Sequence, residues 1–276
     1  MHSSLLLFLV CAGANAFVMH CNKVNQKNSA VIMEGANVSV GSSESVDYRG
    51  AKGVIFDIDG TLADSWKLGY DATNVVLEKS GIQPISEDVY HDGCRYTTPE
   101  RLARHVGLMP DDPDFETMGN KLGEEFDEFY VALVSEKTAA FYEGISEIIS
   151  NLPKDVKLGA LTNACVAYAH AVLKVNSVGG DYSRFGSVQG ADSVPRPKPY
   201  PDGLLAVCKE LGLSPENCVY VGDSPSDGEA ADRAGMPSIG VLWGSNSKEK
   251  LQKAPFALLC ENVEELASIL PASVKV

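Results

Sequence analysis

Short apolar runs that end in polar residues recur along this chain. Residues 53–56, 157–161 and 219–222 are largely apolar and partly β-branched, a composition typical of buried strands in a parallel sheet. Helical patterns alternate with such runs after residue 143. Further core elements are expected at 144–152, 164–175, 187–188, 202–211, 226–234 and 238–242. This alternation predicts an α/β fold, a doubly wound parallel sheet (Rossmann-like) with helices on both faces.

A long segment separates the first strand from the second. It is far too long for a loop in a compact fold. Helical patterns at 67–80, 98–106 and 114–136 are broken by Gly and Pro residues. The segment is therefore predicted to form a helical domain of its own.

Two carboxylates, Asp57 and Asp59, directly follow the first strand, and Gly60 and Thr61 come next. Ligands bind at the carboxyl ends of strands in open α/β sheets. Two acids crowded there need a cation or a shared proton. A helix cap or a turn would explain one of these aspartates, but not both together with the residues that follow.

Polar groups also follow the other two strands. Thr162 and Asn163 can both donate to a phosphate oxygen, although either could instead cap the next helix. Asp223 and Asp227 place two more acids after the third strand. Lys198 lies between two prolines, which restrict its backbone, although an exposed linker lysine would look the same.

Taken in order, these segments resemble the four signature motifs of the haloacid dehalogenase (HAD) superfamily. The segments are FDIDGTL at 56–62, LTN at 161–163, PRPKP at 195–199 and VGDSPSD at 221–227. Residues 59–65, 196–199 and 234–244 further resemble the phosphoglycolate phosphatase-like branch. The resemblance implies a HAD α/β core at 49–65 and 143–276, with an inserted helical cap at 66–142 that closes over the site.

The resemblance and the chemistry of the residues imply the same roles. Asp57 is the nucleophile that forms an aspartyl-phosphate, and Asp59 is the general acid and then the general base. Thr162 and Lys198 bind the transferring oxygens, and Asn163 is a further phosphate or substrate contact. Dehalogenases of this superfamily lack the second aspartate, so Asp59 favours phosphate chemistry.

Magnesium is the expected cofactor. Mg²⁺ prefers hard oxygen ligands, which Asp57, Asp223 and the backbone carbonyl of Asp59 would supply, with Asp227 supporting them directly or through water. No cluster of His or Cys in the sequence favours a softer metal.

The expected substrate is a small phosphorylated metabolite, with 2-phosphoglycolate and sugar phosphates as candidates. The cap offers five candidates for contacting a substrate carboxylate or sugar: Arg95, Tyr96, Arg101, Arg104 and His105. Arg95 is the predicted contact for a carboxylate, because residues 93–96 are expected to form a loop. The alternative functions are a phosphosugar mutase of the β-phosphoglucomutase type and a non-catalytic regulator. A regulator is disfavoured because binding alone would not require all five residues Asp57, Asp59, Thr162, Lys198 and Asp223.

Composition narrows the partners. The chain has 276 residues, of which 45% are hydrophobic, and a net charge of −14. Nucleic acids and anionic membranes are bound through basic surface patches. Because the chain is acidic, neither is an expected partner of the mature protein. The seven cysteines show no disulfide or zinc spacing.

Residues 1–48 are predicted to be a leader that is removed or disordered. An apolar stretch at 5–12 runs into an A-x-A cleavage pattern at 14–16. Residues 17–33 contain two lysines and no acid, as transit peptides do. The combination resembles the bipartite presequences of algae with complex plastids, so the predicted location is the plastid, with secretion as the alternative.

Overall fold

The computed structural model describes residues 48–177, 180 and 182–271. Within them, six parallel strands form one sheet and two short strands form an antiparallel pair. In chain order the strands are β1 (Gly53–Phe56), β2 (Ala63–Asp64), β3 (Ala140–Phe141), β4 (Lys157–Leu161), β5 (Phe185–Gln189), β6 (Cys218–Gly222), β7 (Ser238–Val241) and β8 (Leu258–Cys260). The order across the sheet is β5-β4-β1-β6-β7-β8.

Ten α-helices lie in the same residues. They are α1 (Trp66–Lys79), α2 (Glu87–Gly93), α3 (Thr98–His105), α4 (Phe115–Ala132), α5 (Ile145–Asn151), α6 (Val166–Val175), α7 (Asp202–Leu211), α8 (Pro225–Ala234), α9 (Lys248–Leu251) and α10 (Val263–Ile269). Short 3-10 helices occur at Tyr48–Gly50 and Pro215–Asn217. None of the helices described has the length and apolarity needed to cross a membrane.

Strand β1 lies at the centre of the sheet and is buried along its whole length. Val54 and Phe56 point into one apolar cluster together with residues of α6, whereas Ile55 points into the other together with residues of α7. Side chains alternate across a strand, so β1 is covered on both faces. This arrangement confirms the predicted doubly wound α/β fold.

The strand register brings the polar residues to one edge of the sheet. Phe56, the last residue of β1, pairs with Ala160 of β4 and with Val221 of β6. Asp57, Thr162 and Asp223 each follow within two residues of those paired positions. Parallel strands end in the same direction, and the three side chains therefore emerge together.

Helices α1 to α4 form the inserted segment. The chain enters it after β2 and returns through β3, and these two strands pair side by side, with Ala63 opposite Phe141. Helix α3 packs on α4 so closely that a Cβ atom at Gly119 would lie 2.6 Å from the backbone oxygen of Pro99. A glycine there permits the close approach. The predicted cap limits at 66 and 142 fall beside β2 and β3.

Several local expectations were wrong or incomplete. Helices α2, α9 and α10 and strands β2, β3 and β8 were not predicted, and α4 ends at Ala132 rather than at 136. Tyr48, which was assigned to the leader, packs against the core. The rest of the predicted leader lies outside the described residues, so its targeting role stays a prediction.

Candidate active site

Three buried aspartates and one buried lysine meet at the carboxyl edge of the sheet. One carboxylate oxygen from each of Asp57, Asp223 and Asp227 lies within 4.8 Å of the other two. The Nζ atom of Lys198 lies 2.8 Å from Oδ1 of Asp57 and 2.7 Å from Oδ1 of Asp227. It also donates to the Tyr220 hydroxyl at 3.1 Å. The three sequence motifs that carry these residues are thus brought into one cluster.

Loops and a helix start hold the two acids that follow β6. Asp227 lies in the first turn of α8 and completes a capping box with the N-cap residue Ser224, accepting from its backbone nitrogen and its hydroxyl at 2.9 and 2.7 Å. Asp223 accepts from the backbone nitrogen of Ser245 at 2.7 Å. A Cβ atom at Gly60, whose φ is +75°, would lie 2.3 Å from Oδ2 of Asp223. The glycine after the first motif therefore allows the loop to close over the cluster.

Asn163 holds the lysine in place. Its side-chain nitrogen donates to the backbone oxygen of Lys198, and its side-chain oxygen accepts from the backbone nitrogen of Lys198, both at 3.0 Å. Asn163 also lines the cavity above the cluster. Its amide is therefore engaged in fixing Lys198, whereas the sequence had suggested a direct phosphate or substrate contact.

The cluster carries more buried negative charge than positive charge. Burial, followed by the charge of Asp227, raises the pKa of Asp57 well above its usual range, although Lys198 opposes this shift. The same two causes raise the pKa of Asp223 to about 7. Burial lowers the pKa of Lys198, but Asp227 and Asp57 outweigh it and raise that pKa overall. A hard divalent cation fits this donor set, because it would supply the missing positive charge to closely spaced oxygen ligands.

Asp59 lies outside the carboxylate cluster and is surrounded by hydroxyl groups. Its Oδ1 accepts from Ser65 at 2.5 Å, from Tyr168 at 2.6 Å and from Tyr130 at 2.9 Å. Its Oδ2 accepts from Thr162 at 3.1 Å. Burial, and after it the charge of Asp59, raises the pKa of both tyrosines well above the phenol value, so each remains an O–H donor. The two predicted catalytic aspartates thus occupy different environments.

A cavity between the sheet edge and the inserted helices contains these groups. It is lined by Asp57, Asp59, Thr162, Asn163, Lys198 and Asp223, and on the other side by residues of α1 to α4. Asp227 lies beneath it, fully buried. The structure therefore brings together every predicted core-motif residue.

The arginine of the cavity is Arg101, which corrects the prediction for Arg95. Arg95 is exposed, lies against the ring of Tyr96 and does not line the cavity. Arg101 lines the cavity and is only 5% exposed. Its burial depends on residues far away in the chain, so no local pattern in the sequence marks it.

Three groups from three helices hold Arg101. Its guanidinium donates to the Thr73 hydroxyl of α1 at 2.8 Å. It lies 5.0 Å from the ring centre of Tyr90 in α2 and 5.1 Å from that of Phe126 in α4. Such cation–π contacts stabilise a desolvated cation but leave its charge unneutralised.

Comparison with known proteins identifies the family. Residues 54–241 match the family described as haloacid dehalogenase-like hydrolase. The match spans more than half of the chain, and the chain belongs to this family. The resemblance predicted from the four motifs is thereby confirmed.

Individual relatives point to one branch of the family. The chain is 28% identical to a phosphoglycolate phosphatase of Shigella boydii over 241 residues, covering 82% of this chain and 93% of the relative. A putative phosphoglycolate phosphatase structure from Lactobacillus delbrueckii superposes with a TM-score of 0.66 at 25% identity, covering 80% and 99% of the two chains. The structure of CbbY from Rhodobacter sphaeroides in complex with phosphate superposes with a TM-score of 0.67 at 25% identity, covering 78% of this chain and 96% of that chain. These matches confirm the predicted enzyme class, a HAD-type phosphatase.

Proposed function

We propose that the protein is a Mg²⁺-dependent phosphatase that hydrolyses a small phosphorylated metabolite through an aspartyl-phosphate on Asp57. The leading substrate candidate is 2-phosphoglycolate. One observation carries the proposal: Asp57 lies in a cluster suited to a cation, whereas Asp59, two residues away, is held by hydroxyl groups outside that cluster. This separation gives the two carboxylates different tasks, nucleophile and proton carrier.

Asp57, Asp223 and the backbone carbonyl of Asp59 would hold the Mg²⁺ ion, with Asp227 supporting them. When bound, the ion would offset the negative charges of the carboxylates and of the phosphoryl group, which otherwise repel each other. Lys198 contributes a fixed positive charge 2.8 Å from Oδ1 of Asp57.

The protein's residues then act in two steps. In the first, Asp57 attacks phosphorus, the bond to the leaving oxygen breaks, and Asp59 gives that oxygen its proton. In the second, Asp59 takes a proton from water, which attacks phosphorus and releases phosphate and the Asp57 carboxylate. Lys198 and Thr162 are placed to bind the transferring oxygens, because both line the cavity beside the aspartates.

Arg101 supports a substrate with a second anionic group. No carboxylate among the described residues forms a salt bridge with it, although it is buried within the catalytic cavity. A buried guanidinium is well suited to bind a carboxylate or phosphate. The carboxylate of 2-phosphoglycolate would meet this requirement.

A phosphate-release screen tests the proposed function. The full chain with Mg²⁺ is assayed against 2-phosphoglycolate, sugar monophosphates and nucleotides. We expect the highest kcat/KM for a small ester with a distal anionic group. Conversion of β-glucose 1-phosphate to the 6-phosphate, much faster than any hydrolysis, would instead establish the mutase alternative.

Removing the Arg101 guanidinium should selectively weaken the binding of substrates that carry a second anionic group. Arg101→Met should raise KM for 2-phosphoglycolate by about 10- to 100-fold, because a charge-assisted hydrogen-bonded pair is lost. The KM for ethyl phosphate, which has no distal charge, should change by less than about threefold. Steady-state kinetics with both substrates measure the difference.

Arg95→Met is the matched control, because it removes a nearby exposed arginine that does not itself line the cavity. We expect this variant to behave like the wild type. Equal losses for Arg101→Met on the charged and uncharged substrates would argue against the proposed anion contact.

In the cation-free protein, ionisation of Asp223 should lower the free energy of unfolding. The pKa of Asp223 is raised from 3.8 to about 7 in the folded chain. Between those pH values Asp223 is ionised in the unfolded chain but still protonated in the folded chain. The free energy of unfolding therefore falls as the pH rises towards and through about 7. Thermal unfolding in a chelator should therefore show Asp223→Asn gaining stability relative to the wild type between about pH 4 and pH 8.

Saturating Mg²⁺ should reduce that difference by stabilising the wild type more than the variant at the higher pH. In kinetic assays, Asp223→Asn should require more Mg²⁺ for half-maximal activity. A wild-type protein whose stability and activity did not respond to Mg²⁺ would contradict the role assigned to the cluster.

A further inference from the structure

Two tyrosines from different parts of the fold meet at the proton-carrying aspartate. Tyr130 belongs to α4 of the inserted segment and Tyr168 to α6 of the core. Their rings are stacked, with centres 3.9 Å apart and planes 14° apart. Both hydroxyl groups donate to the same atom, Oδ1 of Asp59. The inserted segment therefore contacts the catalytic acid directly.

These contacts make the two oxygens of Asp59 unequal. Oδ1 receives three hydroxyl donors, from Ser65, Tyr130 and Tyr168, whereas Oδ2 receives one, from Thr162. A carboxylate oxygen has about two lone-pair sites, so three donors fill its capacity. Oδ2 keeps acceptor capacity and is the oxygen available to exchange a proton with substrate or water.

The pair is not explained by packing alone. Tyr168 is fully buried and Tyr130 is 5% exposed, so both rings contribute to the apolar core. A phenylalanine would fill either ring position. Each hydroxyl group donates to Asp59, a contact that a phenylalanine could not make.

We propose that Tyr130 and Tyr168 are positioning residues, which fix Oδ1 of Asp59 and thereby direct Oδ2 to the leaving oxygen of the substrate. This inference rests on the proposed function, in which Asp59 transfers the proton. It also assigns a role to α4. The acid is fully oriented only when the inserted segment lies against the core, as it does here.

Removing a hydroxyl while keeping its ring tests the proposal. Tyr168→Phe is the principal variant, because Tyr168 does not line the cavity and substrate binding should not change. Tyr130→Phe is the second variant. Tyr70→Phe is the matched control: its hydroxyl donates to the backbone oxygen of Ile85 within the inserted segment and does not contact Asp59.

The readout is the rate of Asp57 phosphorylation in single turnovers of the Mg²⁺-loaded protein. The two substrates are the alkyl phosphate that the wild type hydrolyses fastest and 4-nitrophenyl phosphate, whose leaving group needs no proton. We expect Tyr168→Phe and Tyr130→Phe to slow the alkyl reaction about tenfold or more, with KM and the nitrophenol burst rate changed by less than about twofold. Tyr70→Phe should match the wild type with both substrates.

Each other outcome is decisive. Equal slowing with both substrates would indicate general disturbance of the site. Unchanged rates with both substrates would show that the hydroxyl groups are not needed. Either result would overturn the positioning role. A wild-type protein that released no phosphate from any ester would refute the proposed function instead. Failure of the inference and failure of the function are therefore distinguishable.

Discussion

Asp57→Asn should abolish turnover and leave the fold intact. An amide is too weak a nucleophile to form the phosphoryl bond, so we expect a loss of roughly 10⁴-fold or more. The side chain changes little in volume at a position that is 5% exposed. Lys198 retains its contacts with Asp227 and Tyr220. Phosphate release measures the loss, and circular dichroism with thermal unfolding checks the fold.

The same substitution should not destabilise the cation-free protein. The pKa of Asp57 is raised mainly by burial and by Asp227, which shows that its negative charge is disfavoured there. A neutral amide removes that unfavourable charge. Asp57→Ala is a useful second variant, because it cannot revert to aspartate by deamidation. Turnover near the wild-type level in either variant would rule out the covalent role of Asp57.

Asp59→Asn should have the next largest effect. The amide oxygen can still accept the hydroxyl groups of Ser65, Tyr130 and Tyr168, so the local structure should persist. Proton transfer is lost, and kcat for an alkyl phosphate should fall by roughly 10²–10⁴-fold, the usual contribution of general acid–base catalysis. Steady-state kinetics on the purified variant give this number.

Leaving-group chemistry provides the control for Asp59. Formation of the Asp57 intermediate from 4-nitrophenyl phosphate needs no acid, so its burst phase should survive in Asp59→Asn while the following hydrolysis slows. An equal loss of the burst and of alkyl turnover would argue that Asp59 does something other than transfer protons.

The core of the site could be predicted from the sequence because the position of each residue is set by the strand that directly precedes it. Asp57, Thr162 and Asp223 each follow a buried strand, and parallel strands deliver their ends to one edge. The spacing of Asp223 and Asp227 likewise follows from a strand that leads into a capped helix. In these cases the position in the chain sets the position in space.

The inserted segment could not be predicted in the same way. Arg101 and Tyr130 reach the cavity because α1 to α4 pack against one another and against the core, a result of long-range contacts. Nothing local distinguishes buried Arg101 from exposed Arg95, and the choice of Arg95 was wrong. The role of Asn163 was also hidden, since its partner Lys198 lies 35 residues away in the chain.

The stereochemical course at phosphorus tests the central claim most directly. A phosphorothioate ester that is chiral through ¹⁶O and ¹⁷O, hydrolysed in H₂¹⁸O, yields a chiral thiophosphate whose configuration can be read. Each in-line displacement inverts phosphorus, so transfer to Asp57 followed by hydrolysis predicts overall retention. Overall inversion would mean that water attacks the substrate directly, and it would contradict the aspartyl-phosphate mechanism.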